Sequence, residues 1–149
     1  MPENMPHILN GFRVLDMTHV LAGPSATRLM AEMGAEVIKV EFPPLGDIAR
    51  SLPAIASGRS AYYVQQNRGK LSICLDAKTD EGKEIMEDLI RESDVFIENF
   101  APGVIGRLGF SWERVHEINP NLVMCSVSAF GQSGPLSALP GFDYIAQAY

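Results

Sequence analysis

The segment that most constrains the fold of this chain is residues 10–24, with the sequence NGFRVLDMTHVLAGP. Its pattern predicts a buried strand that passes through a turn of small residues into a helix with proline in the first turn. The first N–H groups of a helix have no partner inside the helix and suit an anionic or polar ligand. The turn lacks the Gly-x-Gly-x-x-Gly pattern of dinucleotide enzymes. It therefore predicts a different ligand on a related scaffold.

Composition limits the class of protein. A chain of 149 residues with 46% hydrophobic content can bury one sizeable core, which favours a single α/β domain or part of one. No apolar run reaches the roughly 18 residues of a membrane span, and the amino terminus does not resemble a secretion signal. The net charge of −6 disfavours a nucleic-acid partner. We expect a cytoplasmic protein.

The cysteine and histidine content predicts no metal site, because no cluster has ligand spacing. Cys74 and Cys125 both lie in apolar, strand-like runs. We therefore expect them to be reduced core residues and not a disulfide.

Strand and helix patterns alternate along the chain. Strands are predicted at residues 12–17, 36–41, 71–75, 95–98 and 122–128, and helices at 25–33, 61–66, 79–91, 104–109 and 112–118. In the first helix, Leu29, Met30 and Met33 have helical spacing and predict a buried face. Such alternation predicts a Rossmann-like α/β fold with a doubly wound, mostly parallel sheet and ligands at the carboxyl ends of the strands.

Four ordered blocks carry a resemblance: LDMTHVLAGP at residues 15–24, GAEVIKVE at 34–41, DVFIENFAPG at 94–103 and GFDYIAQA at 141–148. From Gly11 onward the chain resembles the amino-terminal portion of the family III CoA-transferases, the CaiB/BaiF group that includes formyl-CoA and carnitine CoA-transferases. The resemblance implies that residues 11–149 are the Rossmann-like, CoA-binding part of the family's large domain, which continues beyond Tyr149. Residues 1–10 would then be an amino-terminal extension.

The resemblance also implies a chemistry. Family members move CoA from an acyl-CoA donor to a carboxylate acceptor, through an aspartyl mixed anhydride and an aspartyl-CoA thioester. The aspartate splits one difficult exchange into easier steps, and backbone N–H groups stabilise the oxyanions. This nucleophile is expected after Tyr149, so the chain alone is expected to be inactive. Asp143 is a second candidate, although the family pattern instead places it at a helix start, where a carboxylate is favourable.

By resemblance, nine residues are expected to contact CoA: His19, Val20, Ala22, Leu75, Lys78, Asn99, Phe100, Arg107 and Phe142. His19, Val20 and Ala22 would line the channel, and Phe142 would lie near the thioester. Lys78 and Arg107 would meet phosphates. The residue types alone leave other roles open, such as a loop histidine with its own partners, a surface lysine and a core phenylalanine.

Two positions depart from the formyl-CoA branch of the family. Phe42 stands where that branch has an arginine that holds the nucleotide, so Arg50 or Arg68 is expected to supply the contact. Leu21 replaces a glutamine that handles substrate, so we expect substrates other than formate and oxalate.

Three other functions remain as alternatives. A 2-methylacyl-CoA racemase of the same superfamily would need a histidine beside Asp143, where Phe142 stands instead. A nicotinamide-binding module would use Glu41 at the end of the second strand, although the glycine triplet is absent. The third is a truncated, non-catalytic fragment that binds CoA.

The resemblance also implies an oligomeric state. Family members form interlocked homodimers, so we expect the full-length protein to be a homodimer and this chain alone to associate through uncovered apolar surface.

Overall fold

The computed structural model describes residues 7–53 and 55–148. Seven strands are present in this part of the chain: β1 (Arg13–Met17), β2 (Glu36–Glu41), β3 (Ile55–Ala56), β4 (Arg59–Ser60), β5 (Leu71–Cys74), β6 (Val95–Glu98) and β7 (Val123–Ser126). Six α-helices accompany them: α1 (Ala22–Glu32), α2 (Ala61–Asn67), α3 (Asp80–Arg91), α4 (Val104–Arg107), α5 (Trp112–Ile118) and α6 (Asp143–Ala148), and a short 3₁₀ helix spans Ile48–Ser51.

Five strands form one parallel sheet in the order β5-β2-β1-β6-β7. The chain builds outward from β1 in one direction through β2 and β5, and then in the other direction through β6 and β7. The sheet is thus doubly wound and its order reverses between β1 and β6, which is where α/β folds of this kind bind ligands. The prediction of a Rossmann-like α/β fold is confirmed.

Two apolar cores cover the two faces of the sheet, because successive strand residues point to opposite sides. Leu15 and Phe96 belong to the larger core, which packs against Met86 of α3 and Val115 of α5. Val14 belongs to the smaller core, together with Val37, Ile97 and the side of α1 that carries Met30. Helices therefore lie on both faces of the sheet, and its central strands are covered on both sides.

Helix boundaries follow local chemistry. Thr79 precedes α3 and its hydroxyl accepts the N–H of Gly82, as the predicted cap requires. Helix α1 begins three residues earlier than predicted, at Ala22, so that Pro24 occupies its third position. Gly34, with φ of 100°, follows the end of this helix.

Two expectations about burial were wrong. Cys74 and Cys125 are free thiols but exposed, because β5 and β7 are the edge strands of the sheet and only its central strands are fully covered. Leu29 and Met33 are also exposed, at 48% and 40%, since the packed side of α1 includes Gly23, Pro24, Thr27 and Met30 instead.

At the amino-terminal side, residues 7–10 form a turn against the end of α1, where the Leu9 N–H donates to the Met33 carbonyl. Among the described helices none is long and apolar enough to cross a membrane. No group of three or more histidine, cysteine, aspartate or glutamate side chains in the same residues is placed to hold a metal ion.

Candidate functional site

The candidate site lies at the carboxyl ends of β1, β2 and β6, three neighbouring strands at the middle of the sheet. His19 and Val20 follow β1, Phe42 follows β2, and Asn99 and Phe100 follow β6. Four of the nine residues expected to contact CoA therefore meet at the point where the strand order reverses.

His19 and Asn99 join the β1 and β6 ends by two reciprocal hydrogen bonds. The His19 N–H donates to Asn99 Oδ1 at 2.7 Å, and Asn99 Nδ2 donates to the His19 carbonyl at 2.9 Å. Pairing of this kind fixes both loops relative to each other, as a short piece of sheet would. These two bonds use one of the two Asn99 N–H donors, so the side chain joins the two loops and retains capacity for a further contact.

The ring of His19 completes an aromatic cluster with Phe42 and Phe100. Its centroid lies 5.4 Å from that of Phe100 and 6.2 Å from that of Phe42, while the two phenylalanine rings are 6.1 Å apart. These spacings are those of attractive ring pairs. Burial lowers the pKa of His19, and the nearby Asp47 carboxylate opposes this shift. The site thus presents a neutral, aromatic wall at the strand ends.

Val20 has a backbone conformation that β-branched residues rarely adopt, with φ of 67°. Such a conformation costs about 1–3 kcal/mol and persists only where the surroundings fix it. Asp47, from the loop after β2, supplies one restraint, because its Oδ1 accepts the Val20 N–H at 3.1 Å and the Ala49 N–H at 2.9 Å. Its Oδ2 lies 3.0 Å from Lys39 Nζ as an ion pair without hydrogen-bond geometry.

Buried charged side chains lie next to the carboxyl ends of β1 and β2. Asp16, at the end of β1, accepts the N–H and hydroxyl of Thr18, the Thr27 hydroxyl and Lys70 Nζ. Burial alone would raise the pKa of Asp16, but Lys39 and Lys70 hold it below its usual value. Burial also lowers the pKa of Lys70. Lys39 Nζ donates to the Thr18 carbonyl at 2.6 Å, directly beneath the His19 loop.

Glu41 anchors the loop that carries Asp47. Its carboxylate accepts Arg50 at 2.6–2.7 Å, the Tyr63 hydroxyl at 2.7 Å, the Ser72 hydroxyl at 2.8 Å and the Asp47 N–H at 2.9 Å. Although burial would raise the Glu41 pKa, these donors hold it far below the usual range. Burial and the Glu41 carboxylate together raise the pKa of the Tyr63 hydroxyl.

The amino-terminal end of α1 faces the same edge of the sheet. Ala22 is its first residue and is exposed. The preceding Leu21 cannot cap the helix with its side chain, so the first N–H groups receive no side-chain acceptor from it. Gly23 is required for close packing, because a Cβ there would lie 2.3 Å from Thr18 Cγ2.

The remaining expected contacts lie around this centre. Leu75 follows β5 and is buried in the larger core, and Lys78 is exposed in the loop before α3. Since β2 separates β5 from β1, the loop that carries Lys78 follows a strand two positions away from β1 in the sheet. Arg107 ends α4 and is exposed, with its guanidinium folded back toward Gly103.

Phe142 and Asp143 lie at the start of α6. Phe142 is 70% exposed and pairs only loosely with Tyr144, at 6.3 Å between ring centroids. Asp143 is in the first turn of the helix, as expected, and accepts Gln147 Nε2. Burial and the charges of Asp47 and Asp143 together raise the pKa of Tyr62.

Arg50 and Arg68, the two arginines expected to supply the nucleotide contact, both form ion pairs within the chain. Arg50 pairs with Glu41 and lies over the Tyr63 ring, at 3.9 Å from its centroid. It also lines a hollow of about 350 Å³ with Arg59 and Ser60. Arg68 pairs with Glu32 on α1. A larger hollow of about 540 Å³ lies at the opposite, amino-terminal end of the strands, beside Arg13 and Asp94, away from the candidate site.

The sequence did not predict roles for Lys39 and Asp47 at this site. It also did not predict that Phe42 would belong to the aromatic wall. A signal was present for Lys39, because a lysine within the apolar run of a central strand needs a buried partner. The partner could not be identified from spacing, since Asp47 lies in an irregular loop eight positions further on.

Comparison with known proteins identifies the family. Residues 9–149 match CoA-transferase family III. The chain is 50% identical over 141 residues to a formyl-CoA:oxalate CoA-transferase of Streptomyces coelicolor and 48% identical over 144 residues to one of Afipia carboxidovorans. The matches cover 94% and 96% of this chain but 34% of each relative. The chain thus spans about a third of the length of the curated relatives that it matches.

Comparison with solved structures leads to the same family. A CaiB/BaiF family protein from Brucella suis superposes with a TM-score of 0.91 and 38% identity over 97% of this chain and 39% of that protein. The hypothetical protein Rv3272 from Mycobacterium tuberculosis gives a TM-score of 0.88 and 39% identity over 97% of this chain and 40% of that protein. The sequence match, the fold and the layout of the strand ends lead to one conclusion: the chain belongs to CoA-transferase family III.

Proposed function

We propose that the protein carrying this chain transfers CoA from an acyl-CoA donor to a carboxylate acceptor, and that the β1, β2 and β6 ends form part of its CoA channel. The observation that carries the proposal is the reciprocal pairing of His19 and Asn99 at the point where the strand order reverses. This pairing holds the aromatic wall of His19, Phe42 and Phe100 in place at the point where α/β folds of this type bind ligands.

CoA offers groups that suit the site. Its adenine and pantetheine are partly apolar and would pack on the aromatic cluster of His19, Phe42 and Phe100. The uncapped start of α1, with Ala22 as its first residue, offers N–H groups to a phosphate or a thioester oxygen. Lys78 and Arg107 are exposed cations in the segments that follow β5 and β6, and we assign them to the phosphates.

Carboxylates at this edge of the sheet are poor candidates for the nucleophile. Asp16, Glu41, Asp47 and Glu98 are all buried, and the first three pair with lysine or arginine. A carboxylate that attacks a thioester must reach the substrate. Asp143 is exposed but is placed as a helix-start carboxylate that accepts Gln147. These positions support a nucleophilic aspartate supplied by residues after Tyr149.

Calorimetric titration with CoA tests the binding proposal on the full polypeptide. We expect His19→Ala to weaken CoA binding at least tenfold, through loss of a ring that contacts both phenylalanines. Lys78→Ala and Arg107→Ala should each weaken binding and reduce its salt dependence. Lys83→Ala, which removes an exposed cation of α3, is the matched control and should bind normally. If all four variants bind CoA with the affinity of the wild-type protein, the proposed channel is refuted.

The acyl group is a separate question. Relatives at 48–50% identity are formyl-CoA:oxalate CoA-transferases, whereas the resemblance implies that Leu21 replaces a substrate-handling glutamine of that branch. We propose a donor and acceptor other than formyl-CoA and oxalate. A panel of acyl-CoA donors with oxalate, succinate and larger carboxylates tests this, and a clear preference for formyl-CoA with oxalate would contradict it.

We further propose a cytoplasmic homodimer, in which each chain completes the fold of the other. The two exposed free thiols suit a reducing compartment. Exposed apolar residues on the edge strands, such as Leu71 and Val123 at 59% and 62%, offer surface for further packing. Sedimentation of the full polypeptide measures the oligomeric state, and a monomer would refute this part.

A further inference from the structure

Asp47 links the loop after β2 to the proposed CoA wall. Its carboxylate is fully buried, and Oδ1 accepts N–H groups from two segments, Val20 of the β1–α1 loop and Ala49 of the following turn. Asp47 is itself fixed, because its N–H donates to Glu41 Oε2. The preceding Gly46 has φ of 69° and lies so close to Glu41 that a Cβ would be 2.6 Å from Oε2. These contacts fix the loop so that the Asp47 carboxylate reaches the Val20 N–H.

The contact with Val20 has a specific mechanical consequence. Val20 is held at φ of 67°, a conformation that valine does not keep without external restraint. The peptide group between His19 and Val20 is held on both of its polar atoms: its carbonyl accepts Asn99 Nδ2 of the β6 loop, and its N–H donates to Asp47. These two contacts fix the orientation of the peptide group that follows the His19 ring and precedes Val20.

Asp47 also lies near the His19 ring. Its Oδ1 is 3.9 Å from His19 Nδ1, too far for a hydrogen bond but close enough for an electrostatic effect. The ionisable groups that act on His19 are Asp47, Lys39, Asp16 and Glu41. Lys39, 3.0 Å from the other Asp47 oxygen, supplies the charge that allows this carboxylate to stay buried.

We infer that Asp47 is a positioning residue for CoA binding: by accepting the Val20 N–H, it holds Val20 in its left-handed conformation and thereby sets the His19 wall. The inference rests on the proposed function, because it concerns the same site. It assigns no contact between Asp47 and substrate. Its effect on CoA passes through the hydrogen bond to the loop, so an amide oxygen in the same place should largely replace the carboxylate.

The test compares Asp47→Ala with Asp47→Asn in the full polypeptide, by calorimetric titration with CoA. Asparagine keeps an acceptor oxygen for Val20 and Ala49, while alanine keeps none. We expect the dissociation constant to rise at least tenfold in D47A and less than threefold in D47N. The matched control is Asp94→Asn, because Asp94 accepts the Arg13 N–H at 2.8 Å at the far, amino-terminal end of the sheet. D94N should leave CoA affinity unchanged.

Unchanged affinity in D47A would overturn the inference, and so would an equal loss in D47A and D47N. A loss in D94N as large as in D47A would also overturn it, because it would reduce Asp47 to a contributor to general stability. If D47A does not fold, nuclear magnetic resonance titration of His19 in D47N decides. The His19 pKa should fall, since the carboxylate that raises it is gone, and an unchanged value would refute the placement. Absence of CoA binding by the wild-type protein would instead refute the proposed function.

Discussion

Replacement of Lys70 by methionine tests the buried charge network that supports the strand ends. Lys70 Nζ donates to Asp16 Oδ2 at 2.9 Å, Asn67 Oδ1 at 2.9 Å and the Pro24 carbonyl at 3.1 Å. The side chains of Lys70 and Asp16 are only 1% and 0% exposed. Methionine fills a similar volume but leaves a buried carboxylate without its nearest counter-charge. Removal of one partner from a buried pair costs about 3–5 kcal/mol.

The three lost hydrogen bonds do not add to this figure in full, because the acceptors belong to one network. We therefore expect Lys70→Met to lower the free energy of unfolding by about 3–5 kcal/mol. With a urea slope of about 2 kcal/mol per molar, the unfolding midpoint would fall by about 2 M. Circular dichroism in urea at pH 7 measures it. Lys83→Met is the control, because the Lys83–Asp80 pair is exposed and 3.8 Å long, and such pairs contribute about 0–1 kcal/mol.

The double variant Asp16→Asn with Lys70→Met separates charge from packing. When both charges are removed, no unpaired ion remains in the core, so the double variant should be less destabilised than the sum of the two single variants by at least about 1 kcal/mol. A loss below about 1 kcal/mol in Lys70→Met would refute the reasoning. So would strict additivity, because it would mean that Asp16 and Lys70 do not interact across the 2.9 Å contact.

Three further predictions concern packing, pH and assembly. Gly23→Ala should destabilise the fold by about 1–3 kcal/mol in thermal melts, because its Cβ would meet Thr18 at 2.3 Å, whereas Gly106→Ala, with 3.7 Å of clearance, should not. Glu41→Gln should cost about 1.5–3 kcal/mol at pH 7. Since the folded pKa of Glu41 lies below its usual 4.5, this stabilisation is present above that pH and fades as pH falls below it, so wild type and variant should converge in acid urea titrations. The 149-residue chain alone should associate in size-exclusion chromatography, and a cooperatively melting monomer would contradict this.

The sequence predicted the strands and helices of the sheet because their signals are local. Strand β2 and helix α5 have the predicted bounds, and Thr79 caps α3 as its position before Asp80 and Glu81 suggests. These features depend on neighbouring residues only. The edge of the sheet that carries the candidate site was also predictable, since it follows from the alternation of strands and helices.

Burial at the sheet margins was not predictable in the same way. An apolar strand pattern does not say whether a strand lies at the centre or the edge of a sheet, because that depends on strand order. Cys74 and Cys125 were therefore expected in the core, but their strands lie at the two edges. The role of Lys39 was hidden for a similar reason. Its partner Asp47 reaches it through a loop whose path depends on Gly46 and Glu41.

The β1–α1 loop breaks local preferences at two successive residues, which is typical of a functional site. Val20 is a β-branched residue with positive φ, and Leu21 is an apolar residue at a helix N-cap. Serine at position 21 could accept the Gly23 N–H, since Pro24 has none, once ψ of this residue moves from −64° to the extended values seen at Ser60, Thr79 and Ser111, so the fold should gain only about 0.5 kcal/mol. The same hydroxyl would compete with a CoA phosphate or thioester oxygen for that N–H. We therefore expect Leu21→Ser to raise the melting temperature while weakening CoA binding. Improvement of both properties would show that the start of α1 does not face the cofactor.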